Sequence, residues 1–456
     1  MAPSKVKYKF MEGYECLDYY IPGGYHPVML GDRFCSGRYR FVDKLGFGRN
    51  ATSWLAEDTL QTTPRLVALK ISTAESAQRT SEIEILSRLG NAQSDLPGKA
   101  FVQTLRDSFR FNGPNGTHQC LVTDFERISL NELKEVPFHR LLPLPAAKAM
   151  AAQLVLGVQF IHSLGIVHGD IHAGNILLQL TPDMQNISID KLRPIIGEPM
   201  KESVVREDGA PLDAGVPREV IMPIWLGVDS DRLTLSDAAI KLADFGEAFD
   251  PQKTKCWFAR TPVPVAPPES RFAEDLGEPL SFPGDIWTLG CALWDIIGCK
   301  PPFESLGSPL DGITKDHVEM LGKLPQRWWE LWDEERMKWF DENGRKTVRE
   351  DLRQWHGTTH WTWDDRFAEY IQTTRQKQGV GPLSTDEERD FRQMMNMMLV
   401  LEPGERATVN EIVGCDWMQR WGLPELKRMK QPLNQTSQLQ NGVASRGTPV
   451  ALQGRD

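Results

Sequence analysis

An aspartate and an asparagine five residues apart stand in Ile166-Val167-His168-Gly169-Asp170-Ile171-His172-Ala173-Gly174-Asn175-Ile176-Leu177-Leu178, with apolar residues on both sides. That spacing suits phosphoryl transfer: the Asp orients a hydroxyl and accepts its proton, and the Asn holds magnesium on nucleotide phosphates. Downstream, Ile240-Lys241-Leu242-Ala243-Asp244-Phe245-Gly246 is a strand-like run ending in Asp-Phe-Gly, whose Asp is a second magnesium ligand. Either stretch alone reads as a loop after an apolar strand. Together, in this order, they make Asp170 a candidate catalytic residue and Asn175 and Asp244 candidate metal ligands.

Such residues need a nucleotide site in front of them, and the first third of the chain has its parts. Arg38-Tyr39-Arg40-Phe41-Val42-Asp43-Lys44-Leu45 alternates as a strand, Gly46-Phe47-Gly48 turns it, and Thr52-Ser53-Trp54-Leu55-Ala56-Glu57 returns. Glycines at a hairpin tip let backbone amides approach phosphates closely. Leu66-Val67-Ala68-Leu69-Lys70-Ile71 is an apolar strand with one Lys, which is costly to bury without a partner. Glu82 begins the next helical segment and shares a face with Leu86 and Leu89, so it points inward, while Glu84 points outward. Lys70 then grips the nucleotide phosphates and Glu82 holds Lys70. Two further strands, 101–105 and 118–123, lead to Asp124-Phe125-Glu126, whose backbone is expected to hydrogen-bond the adenine. Residues 12–34 alternate aromatics and turn residues and read as an ordered, extended lead-in without chemistry of its own.

The chain has 456 residues, 40% hydrophobic and 25% charged, which suits a large two-lobed enzyme. The formal charge of −10 argues against nonspecific nucleic-acid binding and suits a basic partner. Seven scattered cysteines without a Cys-x-x-Cys pair read as reduced thiols of a cytoplasmic or nuclear protein. No signal peptide and no apolar stretch long enough to span a bilayer are expected, and nothing demands more than a monomer.

By these motifs the chain is identified as a member of the eukaryotic protein kinases. Ala266-Pro267-Pro268-Glu269 resembles their Ala-Pro-Glu element, and Asp285-Ile286-Trp287-Thr288-Leu289-Gly290 their buried helix whose Asp braces the catalytic loop. Glu405-Arg406-Ala407-Thr408 resembles the late loop whose Arg pairs with that Glu, here Arg406 with Glu269. Gly23-Gly24-Tyr25-His26-Pro27-Val28, Gly31-Asp32, Arg38-Tyr39, Lys44-Leu45-Gly46-Phe47-Gly48 and Asp316-His317-Val318-Glu319-Met320-Leu321-Gly322-Lys323-Leu324-Pro325 resemble the serine/arginine-protein kinases, the SRPK-like branch of the CMGC group, and their expanded fungal relatives. The resemblance covers roughly residues 12 to 422.

The resemblance implies an α+β bilobal kinase fold: an antiparallel sheet with one helix in the N-lobe and a mainly helical C-lobe with insertions. The expected limits are a lead-in 1–35, N-lobe 36–125, C-lobe 126–425 and a disordered tail 426–456. It implies an ATP- and magnesium-dependent serine/threonine protein kinase acting on a protein substrate, basic or Arg/Ser-rich in the branch. Leu45, Ala68 and Leu177 sandwich the adenine, Gly46 and Gly48 cover the phosphates, and Ser53, Asp124 and Phe125 complete the nucleotide site.

The chain departs from the family at several of these places. The usual His-Arg-Asp is His168-Gly169-Asp170, so an activation-loop phosphate loses its receptor and activity is expected not to need one. The Lys two residues after the catalytic Asp is His172, shorter and mostly neutral near pH 7, which predicts slower turnover. Ala51 replaces the third loop glycine and Ser53 the apolar cover of the adenine, which predicts weaker ATP affinity. Ala266 stands where relatives place an Arg that shapes substrate choice, and Val263 and Val265 replace polar or aromatic residues, which argues against a preference for Arg-Ser repeats. The departures at Gly169, His172, Ala51 and Ser53 motivate a second reading, a pseudokinase acting as a nucleotide-binding interaction module. A third, a small-molecule phosphotransferase of the aminoglycoside or choline kinase type, is opposed by the elements at 266–269, 285–290 and 316–325.

Two insertions remain. Residues 179–239 mix Pro, Gly and charge with strand-like pieces and are expected to be ordered in part. Residues 326–390 carry Trp328, Trp329, Trp332, Trp339, Trp355, Trp361 and Trp363. The favoured reading is core packing of an enlarged C-lobe. The alternative is a docking groove in which Asp333, Glu334, Glu335, Asp364 and Asp365 draw a basic peptide.

Overall fold

The computed structural model describes residues 6–9, 12–60, 64–227, 233–304, 309–348, 350 and 362–430. A six-stranded antiparallel sheet forms the N-lobe: β1 (Arg33–Phe34), β2 (Tyr39–Gly48), β3 (Ala51–Asp58), β4 (Arg65–Ser72), β5 (Leu105–Gly113) and β6 (Gly116–Asp124), in the order β1-β2-β3-β4-β6-β5. The period-two alternation of β3 and β4 puts Trp54, Val67, Leu69 and Ile71 into one cluster with Phe41, Cys120 and Val122. Register sets Gly46 opposite Ser53 and Ser53 opposite Lys70, on the face away from that cluster. Helix α1 (Glu82–Asn91) buries Glu82, Ile85, Leu86 and Leu89, as the 3.6-residue period requires.

The C-lobe is helical. Helices α2 (Leu130–Glu135) and α3 (Leu144–Ser163) precede the catalytic loop, and the helix Phe282–Ile297 follows the Pro-Pro-Glu element. One correction concerns α3: it is long and apolar enough by length and composition to cross a bilayer, contrary to expectation. It is a core helix, with 89% of its most apolar window buried. The antiparallel pair β7 (Ile176–Leu178) and β10 (Ile240–Leu242) sets the catalytic loop beside Asp-Phe-Gly through Leu178–Ile240 and Ile176–Leu242.

The insertion after β7 packs on the N-lobe. Its helix α4 (Ile189–Ile196) buries Leu192 against Val42, Leu55, Leu66 and Phe125, and Arg193 bonds Asp43 Oδ2 at 2.6 Å and the Val42 carbonyl at 3.1 Å. Strands β8 (Lys201–Ser203) and β9 (Glu219–Ile221) pair, and Val204, Val216 and Val220 cover Leu17, Tyr20 and Tyr25 of the lead-in.

In the Trp-rich insertion Trp328, Trp329 and Trp332 are buried in the main core. Trp328, Trp332 and Trp339 have the spacing of one helix in the sequence, but the helix breaks at Trp332, between the short helices Gln326–Leu331 and Asp333–Arg336. Trp355 and Trp361 lie outside the described residues. Of the acidic residues in the docking reading, Asp333 pairs with Arg336, Glu335 with Lys338 and Asp364 with Arg392, and Asp365 closes a capping box with Thr362. The chain is helical over Leu423–Met429 with Leu426 buried, past the expected start of the tail; residues 431–456 lie outside the description.

His317 sits between Trp287, at 5.1 Å, and Phe303, at 4.6 Å, with no hydrogen-bond partner on either ring nitrogen among the described residues. Burial, with Arg406 and Arg366 nearby, pushes its pKa down to about 3. The unfolded value is about 6.5. Protonation therefore favours the unfolded chain: the stability is whole above the unfolded value and is lost as pH falls toward the folded one. Denaturant titrations from pH 7 to pH 4 should show it falling, and His317→Phe should flatten the slope by up to about 1.4 kcal/mol per pH unit.

Candidate active site

Lys70 of β4 reaches across the cleft from the sheet face described above. Its Nζ donates to both carboxylate oxygens of Glu82, at 2.8 and 2.9 Å, and to Asp244 Oδ1 at 2.7 Å. Burial works against the ammonium, but Asp244 and Glu82 outweigh it and hold its pKa above the ordinary value. Asp244 moves the other way: burial opposes its charge, yet Lys70 and the Gly246 amide pull its pKa below the usual carboxylate value. Its backbone is left-handed at φ 61, and the Gly246 amide closes a turn on Oδ1 at 3.1 Å. A Cβ on Gly246 would stand 3.1 Å from that oxygen and 3.7 Å from Lys70 Nζ, so glycine keeps the corner open.

The catalytic loop hangs on one buried carboxylate. Asp285, in the first turn of Phe282–Ile297, accepts from the His168 amide at 2.7 Å and the Gly169 amide at 2.9 Å, and its Oδ2 contacts His162 Nε2 at 2.9 Å. Burial opposes the Asp285 charge, but these partners hold its pKa low. His168 Nδ1 accepts from the Asp170 amide and its Nε2 faces the Ala243 carbonyl, so the neutral ring carries its proton on Nε2. The same ring packs on Phe245 at 4.7 Å. Asp285 and His168 thus join Asp170 and Asp-Phe-Gly into one unit. Behind it, Arg406 forks onto Glu269 with two bonds of 2.7 Å, as the resemblance implies.

Asp170 presents one oxygen and occupies the other. Asn175 Nδ2 donates to Asp170 Oδ2 at 3.1 Å and to its carbonyl at 2.8 Å, while Oδ1 is buried without a hydrogen-bond partner among the described residues. Because Nδ2 is committed, the Asn175 carbonyl oxygen faces away from Asp170. One carboxylate and one amide oxygen suit magnesium, which takes few protein ligands when phosphates supply the rest. The donor set of Asp244 and Asn175 therefore fits the ion.

His172 is wired differently from a lysine. Its Nδ1 accepts from the Gly174 amide at 3.1 Å, which puts the neutral proton on Nε2, 3.5 Å from Asp170 Oδ1. Gly169 is left-handed at φ 77, and a Cβ there would stand 2.8 Å from the Glu247 carbonyl, so this loop path excludes arginine. Glu247 pairs with Arg260 of the segment before Pro-Pro-Glu at 3.0 Å.

Leu45, Ser53, Ala68 and Leu177 are all half-buried. Phe125 is buried among Val42, Leu55 and Leu192, and Asp124 pairs with Arg65 and Arg106. Those two residues leave only their backbone for an adenine. Sequence reasoning missed Gln103, whose side-chain oxygen accepts from the Asp244 amide at 3.4 Å, and the Glu247–Arg260 pair. Neither carries a signal, since both contacts arise between segments distant in sequence.

A sheet-bound Lys paired with a helix Glu across from a braced Asp–Asn loop defines a protein kinase, and the protein kinase domain family matches residues 39–189. The serine/threonine-protein kinase SRPK of Physarum polycephalum is 30% identical over 334 residues, covering 67% of this chain and 72% of the relative. A serine/threonine protein kinase of Aspergillus fumigatus is 25% identical over 415 residues, covering 87% of this chain and 88% of its own length. A solved kinase domain superposes with a TM-score of 0.58 at 15% identity, over 86% of this chain and 98% of its own length, which shows the fold. The chain belongs to the protein kinases, in their SRPK-like branch.

Glu82→Gln removes the charge that holds Lys70 on α1. With a charge-assisted bond weakened, Lys70 turns to Asp244 alone, and the KM for ATP should rise about tenfold. Initial rates over a range of ATP concentration check this, with circular dichroism confirming the fold.

Proposed function

We propose that the protein transfers the γ-phosphate of ATP to serine or threonine hydroxyls of protein substrates, with basic, Arg/Ser-rich segments as the acceptor class. The observation that carries this reading is Asp170 Oδ1, buried with no hydrogen-bond partner among the described residues and only His172 Nε2 near it at 3.5 Å, beside an Asn175 that holds the other oxygen. A hydroxyl arriving there meets an acceptor that is oriented and free to take its proton. Lys70, held by Glu82, is placed to bind nucleotide phosphates, and the amides of the Gly46–Gly48 turn are suited to covering them. Asp244 and Asn175 would hold the magnesium ion, which would supply positive charge against those phosphates. His172 offers Nε2–H toward the same region in place of the family's lysine.

Activity independent of loop phosphorylation is part of this proposal. Glu247 supplies Arg260 with a negative charge from within the segment, and the left-handed Gly169 leaves no place for the usual phosphate receptor. The acceptor preference is supported by the relatives alone. The pseudokinase reading keeps its motive in Gly169 and His172, and transfer assays decide between the two.

Labelled phosphate transfer from magnesium-ATP should proceed to an Arg-Ser repeat peptide and fall about a thousandfold in Asp170→Ala. Nucleotide binding without transfer to any acceptor favours the pseudokinase, and transfer only to amino sugars or choline favours the third reading. Phosphatase treatment should leave the rate unchanged; a rate that collapses on treatment and returns on rephosphorylation overturns loop independence.

A further inference from the structure

The lead-in, expected to have no chemistry, touches the nucleotide loop. Tyr25 is buried, and its hydroxyl donates to the Gly48 carbonyl at 2.7 Å. A trans peptide points its C=O and N–H in opposite directions. Holding the Gly48 carbonyl on the lead-in side therefore turns the Arg49 amide to the opposite side of the loop.

The tyrosine is itself firmly placed. Its ring meets Tyr20 and Tyr19 edge-on, at 5.5 and 6.2 Å, and its carbonyl accepts from Asn115 Nδ2 at 2.7 Å. The Gly23 and Gly24 carbonyls accept from the amides of Glu75 and Ala74, ahead of α1, and the Gly23 amide donates to the Asn115 carbonyl. Gly23 is left-handed at φ 90, and a Cβ on Gly24 would stand 1.8 Å from the Tyr19 carbonyl, so both glycines are needed for this path. The entering side of the loop is tied to the same segment. Lys44 of β2 is wholly buried on Glu15, which also accepts from the Tyr20 hydroxyl at 2.6 Å. The Lys44 ammonium lies 4.9 Å from the Trp54 ring and 5.6 Å from Phe47 at the loop tip.

We propose that Tyr25 is a positioning residue for nucleotide binding, its hydroxyl holding the phosphate-covering turn in its binding-competent shape from outside the cleft. The proposal rests on the reading of Gly46–Gly48 as that turn. Without the bond the loop samples open shapes, and only the competent fraction binds.

The test uses the full chain and calorimetric titration with magnesium-ADP, which needs no phosphate transfer. Tyr25→Phe removes one hydroxyl and leaves the ring packing. Its Kd should rise about fivefold, the value of one net hydrogen bond. Amide hydrogen exchange over residues 46–50 should quicken, with the thermal midpoint within a degree of wild type. Tyr39→Phe removes another buried tyrosine hydroxyl of the sheet, one bonded to Asp107, and should leave the Kd within twofold. An unchanged Kd in Tyr25→Phe overturns the proposal, as does an equal rise in Tyr39→Phe. Wild-type protein that binds no magnesium nucleotide overturns the kinase reading and this proposal with it.

Discussion

A single ammonium group joins the two lobes. Lys70 lies in an apolar strand, where an unpaired cation costs several kcal/mol, and the chain answers with two carboxylates from opposite sides of the cleft. Glu82 fixes the orientation of α1 to the sheet, and Asp244 fixes the Asp-Phe-Gly corner to both. Either carboxylate alone would neutralise the charge. Both together make the lobe arrangement a condition of burying it, and leave Lys70 poised where nucleotide phosphates would compete for it.

Below the cleft the same logic repeats with the sign reversed. Asp285 is a buried carboxylate satisfied by two backbone amides and a histidine rather than by a lysine or arginine. Amides cannot be supplied by rotamer changes, so Asp285 dictates the path of the loop at His168 and Gly169. That path carries Gly169 into left-handed backbone and makes the missing arginine a consequence of local geometry. Arg406 and Glu269, forked together in the core, hold the following segment at a fixed height against the same helix.

Around this frame the chain adds surface that a minimal kinase domain lacks. The insertion after β7 and the N-terminal lead-in share one small cluster of valines and tyrosines, and both lean on the N-lobe sheet. An uncovered sheet edge exposes unpaired backbone groups to solvent. Covering it with Arg193, Leu192 and Tyr25 stiffens the strands that lead into the glycine turn. The tryptophans of the second insertion serve the C-lobe in the same way, as large apolar bodies filling the main core.

The sequence by itself determined the class of fold and singled out Lys70, Glu82, Asp170, Asn175 and Asp244, which the structure gathers at one cleft. It misread one strand: in place of a strand over 101–105 there is a short helical turn over Pro97–Phe101, and the strand begins at Leu105. Residue type at short spacing within strand, helix and loop is what a sequence displays. Only the tertiary structure decided how these groups are wired. The tautomer of His168 and His172, the handedness at Gly169, the Glu247–Arg260 pair and the reach of Tyr25 to Gly48 depend on which distant backbone atoms arrive beside a side chain. The burial of Phe125 was hidden for the same reason, because Leu192, which packs against it, lies in the insertion far along the chain. A local pattern specifies which groups are present; long-range packing, paid in chain entropy, specifies which atoms they meet.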